Sequence, residues 1–255
     1  MPTPLERELA YYEELYSGFA QQHFAKPAVA AFRRYLVARI LRQTGAGARS
    51  RVLSLGCGIG DTEILLAPHV GEIVGVDLSP KAIAQARADV GYSRIDNLHL
   101  VSGDWRQALG TLGRFDLVLG VFFFHHLGDK ELANAPAELA RALQPGGIVY
   151  GLEPSARRLA GVVGKLLFPR LMKRYQTEDE RQLLAGPTTA LFQRAGYVAR
   201  TEWFDFVSTP LAGLLPGWKL GYRASRALDN ALVLVPLLKA WSANFELIAT
   251  RPATV

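Results

Sequence analysis

Residues 52–60 read Val-Leu-Ser-Leu-Gly-Cys-Gly-Ile-Gly, and residues 74–77 read Val-Gly-Val-Asp. An apolar strand runs into a glycine turn, a helix follows, and a second apolar strand ends on an acid. This order constrains the chain to an α/β fold. Glycine lacks a Cβ, so the backbone at Gly56, Gly58 and Gly60 can lie close to a ligand. A carboxylate at the tip of the next strand, Asp77, can accept hydrogen bonds from both hydroxyls of a ribose. Together these features outline a nucleoside pocket.

Spacing narrows the nucleoside. A dinucleotide fingerprint places its third glycine three residues after the second, at position 61. Asp61 stands there instead. A negative side chain at the helix start opposes a pyrophosphate but tolerates a ligand without phosphate. The set Gly56, Gly58, Gly60, Asp61 and Asp77 resembles the class I S-adenosylmethionine-dependent methyltransferases. The resemblance covers about residues 50–154; beyond them it is architectural. It implies a Rossmann-like fold with a seven-stranded, mostly parallel sheet and an antiparallel last strand. It also implies S-adenosyl-L-methionine as cofactor.

Length and composition set further bounds. A chain of 255 residues suits one α/β domain with additions, large enough to bury a core without staples. The single cysteine, Cys57, cannot form an internal disulfide, which favours a reducing, cytoplasmic setting. It sits inside the glycine turn and reads as a small packing residue. The start, Pro-Thr-Pro-Leu-Glu-Arg-Glu, does not resemble a signal peptide, and no uncharged apolar run approaches the roughly 18 residues needed to span a bilayer. The net charge of +6 permits an acidic partner, but the basic residues are scattered and not interleaved with aromatics. Nucleic acid is therefore disfavoured as substrate.

The pattern predicts two helices over residues 5–44, with Phe32, Leu36 and Ile40 on one face of the second. Strands are expected at 51–55, 72–77, 97–101, 115–121 and 147–152, alternating with helices at 61–68, 80–90 and 130–143. Ser79 should cap the helix that begins at Pro80. Such alternation implies a parallel sheet covered on both faces. Helices are expected at 156–172 and within 177–194, and strands at 197–207 and 244–251. The last two strands form an antiparallel pair by the resemblance. Residues 1–48 read as an N-terminal helical cap. Residues 49–255 read as the methyltransferase domain, with a helical insertion at 208–242 before the last strand. That insertion is long for a connection and rich in leucine, which suits a functional cover.

The site residues follow mainly from the resemblance. Gly56, Cys57, Gly58 and Gly60 should pass along the methionine half of the cofactor, and Asp77 should hold the ribose. Leu78 is placed to pack on the adenine. Gly103, Asp104 and Trp105 follow the third strand, where the carboxylate can meet the adenine amine and the indole can pack beside the ring. Val121, Phe122 and Phe123 should lie near the sulfonium, which aromatic faces favour. His125 and His126 are candidate general bases, or they shape the loop beside the cofactor. They make no metal site without further ligands. Glu153 either positions a substrate or closes an ion pair within the fold. Tyr16, with Tyr11 and Tyr12, is a candidate to close the pocket from the N-terminal helix.

The expected reaction is methyl transfer to a small, lipophilic acceptor at oxygen, nitrogen or carbon. The alternatives are an RNA or protein methyltransferase and a non-catalytic module that keeps the cofactor fold. The adenine-amine type tetrapeptide Asn-Pro-Pro-Tyr is absent after the fourth strand, where Val-Phe-Phe-Phe stands. The apolar cover with Lys219, Arg223 and Arg226 permits peripheral contact with an anionic membrane, or a homodimer interface.

Overall fold

The computed structural model describes residues 25–158 and 182–253. Residues 5–24, most of the expected helix at 156–172, and Tyr11, Tyr12 and Tyr16 lie outside them. Helix α1 (Pro27–Thr44) opens on a proline, whose missing amide costs nothing in the first turn, and ends at Gly45 in the left-handed region. It is followed by β1 (Arg51–Leu55), α2 (Asp61–Leu66), β2 (Glu72–Asp77), α3 (Pro80–Ser93), β3 (Leu98–Ser102) and α4 (Trp105–Leu109). Then come β4 (Phe115–Val121), α5 (Asp129–Ala142), β5 (Leu143–Pro154), α6 (Ala185–Arg194) and β6 (Val198–Asp205). The cover consists of α7 (Ser208–Leu214) and α8 (Lys219–Leu232), and β7 (Asn244–Thr250) closes the sheet.

The seven strands are ordered 3-2-1-4-5-7-6. Strands β1 to β5 pair in parallel, and β7 runs antiparallel between β5 and β6. Side chains alternate across the sheet, so adjacent apolar residues feed opposite cores. Val52, Ile73, Leu117 and Leu152 join Phe32, Leu36 and Ile40 of α1 on one face. Leu53, Val74, Val118 and Val149 join Phe124, Leu139 and Phe192 on the other. This double burial explains the near-continuous apolar runs that marked the strands. Ser79 caps α3 as expected, its hydroxyl accepting from the Ala82 amide at 3.2 Å.

Several expected boundaries move by a few residues, and the larger differences have a visible cause. Strand β5 starts at Leu143 rather than 147: residues 144–147 stay extended, with Gly146 at φ +80°, and the register against β4 shifts between Phe115 and Leu117. Of the one or two helices expected within 177–194, one spans Ala185–Arg194, following the bridge from Leu183 to Ser155, and residues 177–181 lie outside the described residues. Strand β6 ends at Asp205, two residues early. There the Asp205 carboxylate accepts the Thr209 amide at 2.7 Å, and Asp229 accepts the Ser208 amide at 2.8 Å. The two buried acids satisfy the opening amides of α7 and turn the chain into the cover.

Buried charge fastens α1 to the sheet. Arg39 donates from Nε to Glu246 at 2.8 and 2.9 Å, and Glu246 is fully buried. Tyr150 donates to the same carboxylate at 2.5 Å.

Candidate active site

The carboxyl ends of β1 to β5 meet at one edge, where open α/β sheets bind ligands. Gly56, Gly58 and Gly60 have φ of +64°, +54° and +74°, which a β-carbon disfavours. Space adds a second reason at Gly56: a Cβ there would lie 2.8 Å from the Phe123 ring. The amides of this turn are used within the chain. Gly56 and Cys57 donate to the Val76 carbonyl at 2.8 and 3.2 Å, and Gly60 donates to the Cys57 carbonyl at 2.9 Å. Gly58 donates to Asp77 Oδ2 at 2.8 Å. The turn thus offers a ligand bare backbone to lie along, rather than these four amides.

Asp77 also accepts the Ser79 amide on Oδ1 at 2.8 Å. With one oxygen on the Gly58 amide and the other on the Ser79 amide, the carboxylate buttresses the glycine turn from the tip of β2. Leu78 beside it is 40% exposed, a large apolar side chain presented at the rim. The Gly103 amide donates to the Asp77 carbonyl at 2.9 Å and ties the end of β3 to that of β2. Asp104 caps α4 by accepting the Arg106 amide at 2.8 Å. Trp105 is buried: the Phe123 ring meets it edge-on at 6.0 Å, and the Arg106 guanidinium lies 4.5 Å from its ring centre. It supports the rim from within the core.

The loop after β4 is held in a strained shape. Phe122 has φ +55°, a value bulky residues rarely adopt, and follows the half-buried Val121. Its amide donates to the Leu152 carbonyl at 2.8 Å, and its ring stacks on Phe32 at 6.4 Å. Glu153, fully buried at the end of β5, accepts the amides of Phe123, Phe124 and His125 at 3.0, 2.8 and 3.2 Å. Its Oε2 also lies 2.7 Å from His125 Nδ1. Of the two roles open to Glu153, the structure gives the internal one. An oxygen that accepts amides pairs with the tautomer protonated at Nδ1, so the clamp fixes the ring of His125. His126 stacks on it with ring centres 3.9 Å apart and is half-buried.

Two features were missed by sequence reasoning. Arg33 of α1 donates to Thr62 Oγ1 at 3.0 Å and brings Nε within 2.6 Å of Asp61 Oδ2, in ion-pair range though the N–H is not aimed at the oxygen. The charge of Asp61 is therefore partly met from α1. Glu63, 3% exposed, accepts from Ser54 Oγ at 2.6 Å, while its Oε2 has no hydrogen-bond partner among the described residues. Burial, opposed by the Ser54 hydrogen bond and reinforced by the charge of Asp61, pushes its pKa up to about 7. A serine inside an apolar strand was the available signal, since a buried hydroxyl needs a partner. Burial, with the Glu63 and Asp77 charges, also pushes the Cys57 thiol well up, which suits a packing role.

The strand order, the glycine turn and the acid at the tip of β2 define a Rossmann-like nucleoside-binding fold. Residues 52–147 match the family described as a methyltransferase domain. An uncharacterized methyltransferase of Synechocystis is 29% identical over 150 residues, covering 58% of this chain and 66% of that protein. Demethylmenaquinone methyltransferase of Staphylococcus aureus is 25% identical over 179 residues, covering 63% and 73%. A crystal structure of a methyltransferase dependent on S-adenosylmethionine from Archaeoglobus fulgidus superposes with a TM-score of 0.57 at 17% identity, covering 86% of this chain and 94% of that one. Over residues 52–147 the chain is similar to methyltransferase domains, and its fold is that of S-adenosylmethionine-dependent methyltransferases.

Proposed function

We propose that this protein methylates a small, lipophilic acceptor at oxygen, nitrogen or carbon. The observation that carries the reading is the union of the glycine turn with Asp77 at the tip of β2, whose carboxylate accepts the Gly58 amide and, in this reading, also holds the ribose. The methionine half lies along Gly56, Cys57, Gly58 and Gly60, Leu78 covers the adenine, and Asp104 accepts from its amine. Tyr16, outside the described residues, is a candidate to close the pocket. Bound S-adenosylmethionine supplies an electrophilic methyl on a neutral leaving group. The chain's own task is therefore to align the acceptor and exclude water, and approximation of this kind removes several kcal/mol of barrier. Phe122 and Phe123 line the approach, with Phe122 fixed by its backbone bond to Leu152. His125 is a positioning residue held by Glu153, and His126 takes the proton when the acceptor is a hydroxyl.

The lipophilic part rests on the cover, where Leu214, Leu215, Trp218 and Leu220 are all about half exposed or more. The S. aureus relative, named for demethylmenaquinone, points the same way. Among the described residues no helix is long and apolar enough to cross a membrane. The test is incubation of enzyme with extract and isotopically methyl-labelled cofactor. Label in the organic-extractable small-molecule fraction, with a mass gain of one methylene, supports the reading. Label confined to RNA or protein overturns the acceptor class, and bound cofactor product without transfer overturns catalysis.

A further inference from the structure

A second cavity, of about 380 Å³, opens between α1 and α8, away from the glycine turn. Arg34, Tyr35, Lys219, Tyr222, Arg223 and Arg226 line it. Two of these are built into the fold. Arg226 is 6% exposed and lies with its guanidinium 4.6 Å from the Tyr35 ring centre. It donates to the Phe204 carbonyl at 2.7 Å, to Ser208 Oγ at 3.3 Å and to Asn230 Oδ1 at 3.2 Å. A guanidinium has five N–H donors, so these bonds leave capacity. Tyr222 is 3% exposed, and its hydroxyl has no hydrogen-bond partner among the described residues. The hydroxyl itself has almost no accessible surface.

The charge is equally one-sided. Among the described residues no carboxylate comes within ion-pair distance of Arg34, Lys219, Arg223 or Arg226. The nearby acids are already engaged: Asp229 accepts the Val207 and Ser208 amides, and Asp205 accepts the Thr209 amide and the Asn244 side chain. Four cations around one cavity repel each other, and a compact anion with several acceptor oxygens relieves that repulsion. Arginine forks suit a phosphoryl group, which offers acceptors in several directions.

We propose that this cavity is a phosphoryl-binding site, distinct from the donor pocket. Arg226 forms the floor, and Arg34, Lys219 and Arg223 close over the anion from the surface. A run of rings, Tyr35 to Phe204 at 5.6 Å, Phe204 to Phe32 at 6.2 Å and Phe32 to Phe122 at 6.4 Å, joins it to the loop after β4. The phosphoryl group is carried either by a lipid headgroup or by a soluble molecule, and the apolar neighbours Trp218 and Leu220 leave room for both.

Calorimetric titration of the full-length protein with inorganic phosphate, in chloride buffer, tests the site. Wild type should saturate at one equivalent. Arg223→Ala alone should weaken binding about tenfold, the scale of one hydrogen bond to a charged group. Arg34→Ala with Arg223→Ala, both exposed and outside the core, should weaken it at least as much. Affinity for S-adenosylhomocysteine should stay within about twofold in every variant, which separates this site from the donor pocket. A parallel flotation assay uses phosphatidylglycerol vesicles against phosphatidylcholine vesicles. Flotation with phosphatidylglycerol that the same substitutions abolish assigns the group to lipid, and phosphate binding without flotation assigns it to a soluble molecule. Phosphate binding or flotation indifferent to the substitutions, or neither occurring in wild type, overturns the proposal.

Discussion

At the carboxyl edge of the sheet, Asp77 and Glu153 spend their oxygens on the chain itself, accepting five backbone amides between them. Between α1 and α8, four cations face a cavity with no acid in ion-pair distance among the described residues. The first region is shaped before any ligand arrives: its acids fix the glycine turn and the strained loop at Phe122. The second is charge-balanced only with an anion in place. Charge thus serves as scaffold in one part of the fold and as an open binding element in another.

The sharpest way to break the comparison is at Glu153. Glu153→Ala leaves three amides and the His125 ring without their buried acceptor and should cost about 3–5 kcal/mol, measured by chemical denaturation. A loss under about 1 kcal/mol would mean that the loop after β4 holds itself, and that Glu153 is free for substrate.

Glu63 tests whether a scaffold acid can also report on pH. Its carboxyl is raised from 4.5 to about 7 in the folded protein. The native state therefore holds a proton that the unfolded chain releases between these values. Stability is highest below about pH 4.5 as far as this group is concerned, falls as pH rises towards 7, and is level above. The full change is roughly 3 kcal/mol. Glu63→Gln should flatten that slope in denaturation midpoints taken from pH 5 to 7.5, and a slope unchanged in the variant would assign it to other groups.

Asp77 gives the smallest effect and the most specific one. Asp77→Asn keeps an oxygen for one backbone amide but loses the charge that strengthens the ribose bonds. Affinity for S-adenosylhomocysteine should fall by about 1.5–3 kcal/mol by calorimetry, with the fold retained by circular dichroism. Equal affinity would leave Asp77 with its buttressing role alone.

Much of the first region was legible in the sequence because its signals are local. Apolar runs of five to seven residues marked β1, β2 and β4 at their observed bounds, and Ser79-Pro80 marked the start of α3. The glycines were legible as well, but only part of their cause: Gly56 makes room for Phe123, which lies 67 positions away. The rest depends on contacts between distant residues. Arg39 meets Glu246 across 207 positions, and Arg33 meets Thr62 across 29. No periodicity in the chain encodes which cation finds which acid. The cover shows the same limit. Its leucines and lysine spacing read as a surface for a membrane or a partner, whereas α8 also turns Tyr222 and Arg226 inward to line a cavity with α1.

The most direct measurement is a crystal structure of the protein with S-adenosylhomocysteine at saturating concentration. The nucleoside should lie along residues 56–60, with both ribose hydroxyls on Asp77 and the loop at Phe122–Phe123 unchanged in backbone. Density for the ligand elsewhere, or a groove at Asp77 left vacant while the protein is saturated, would contradict that placement.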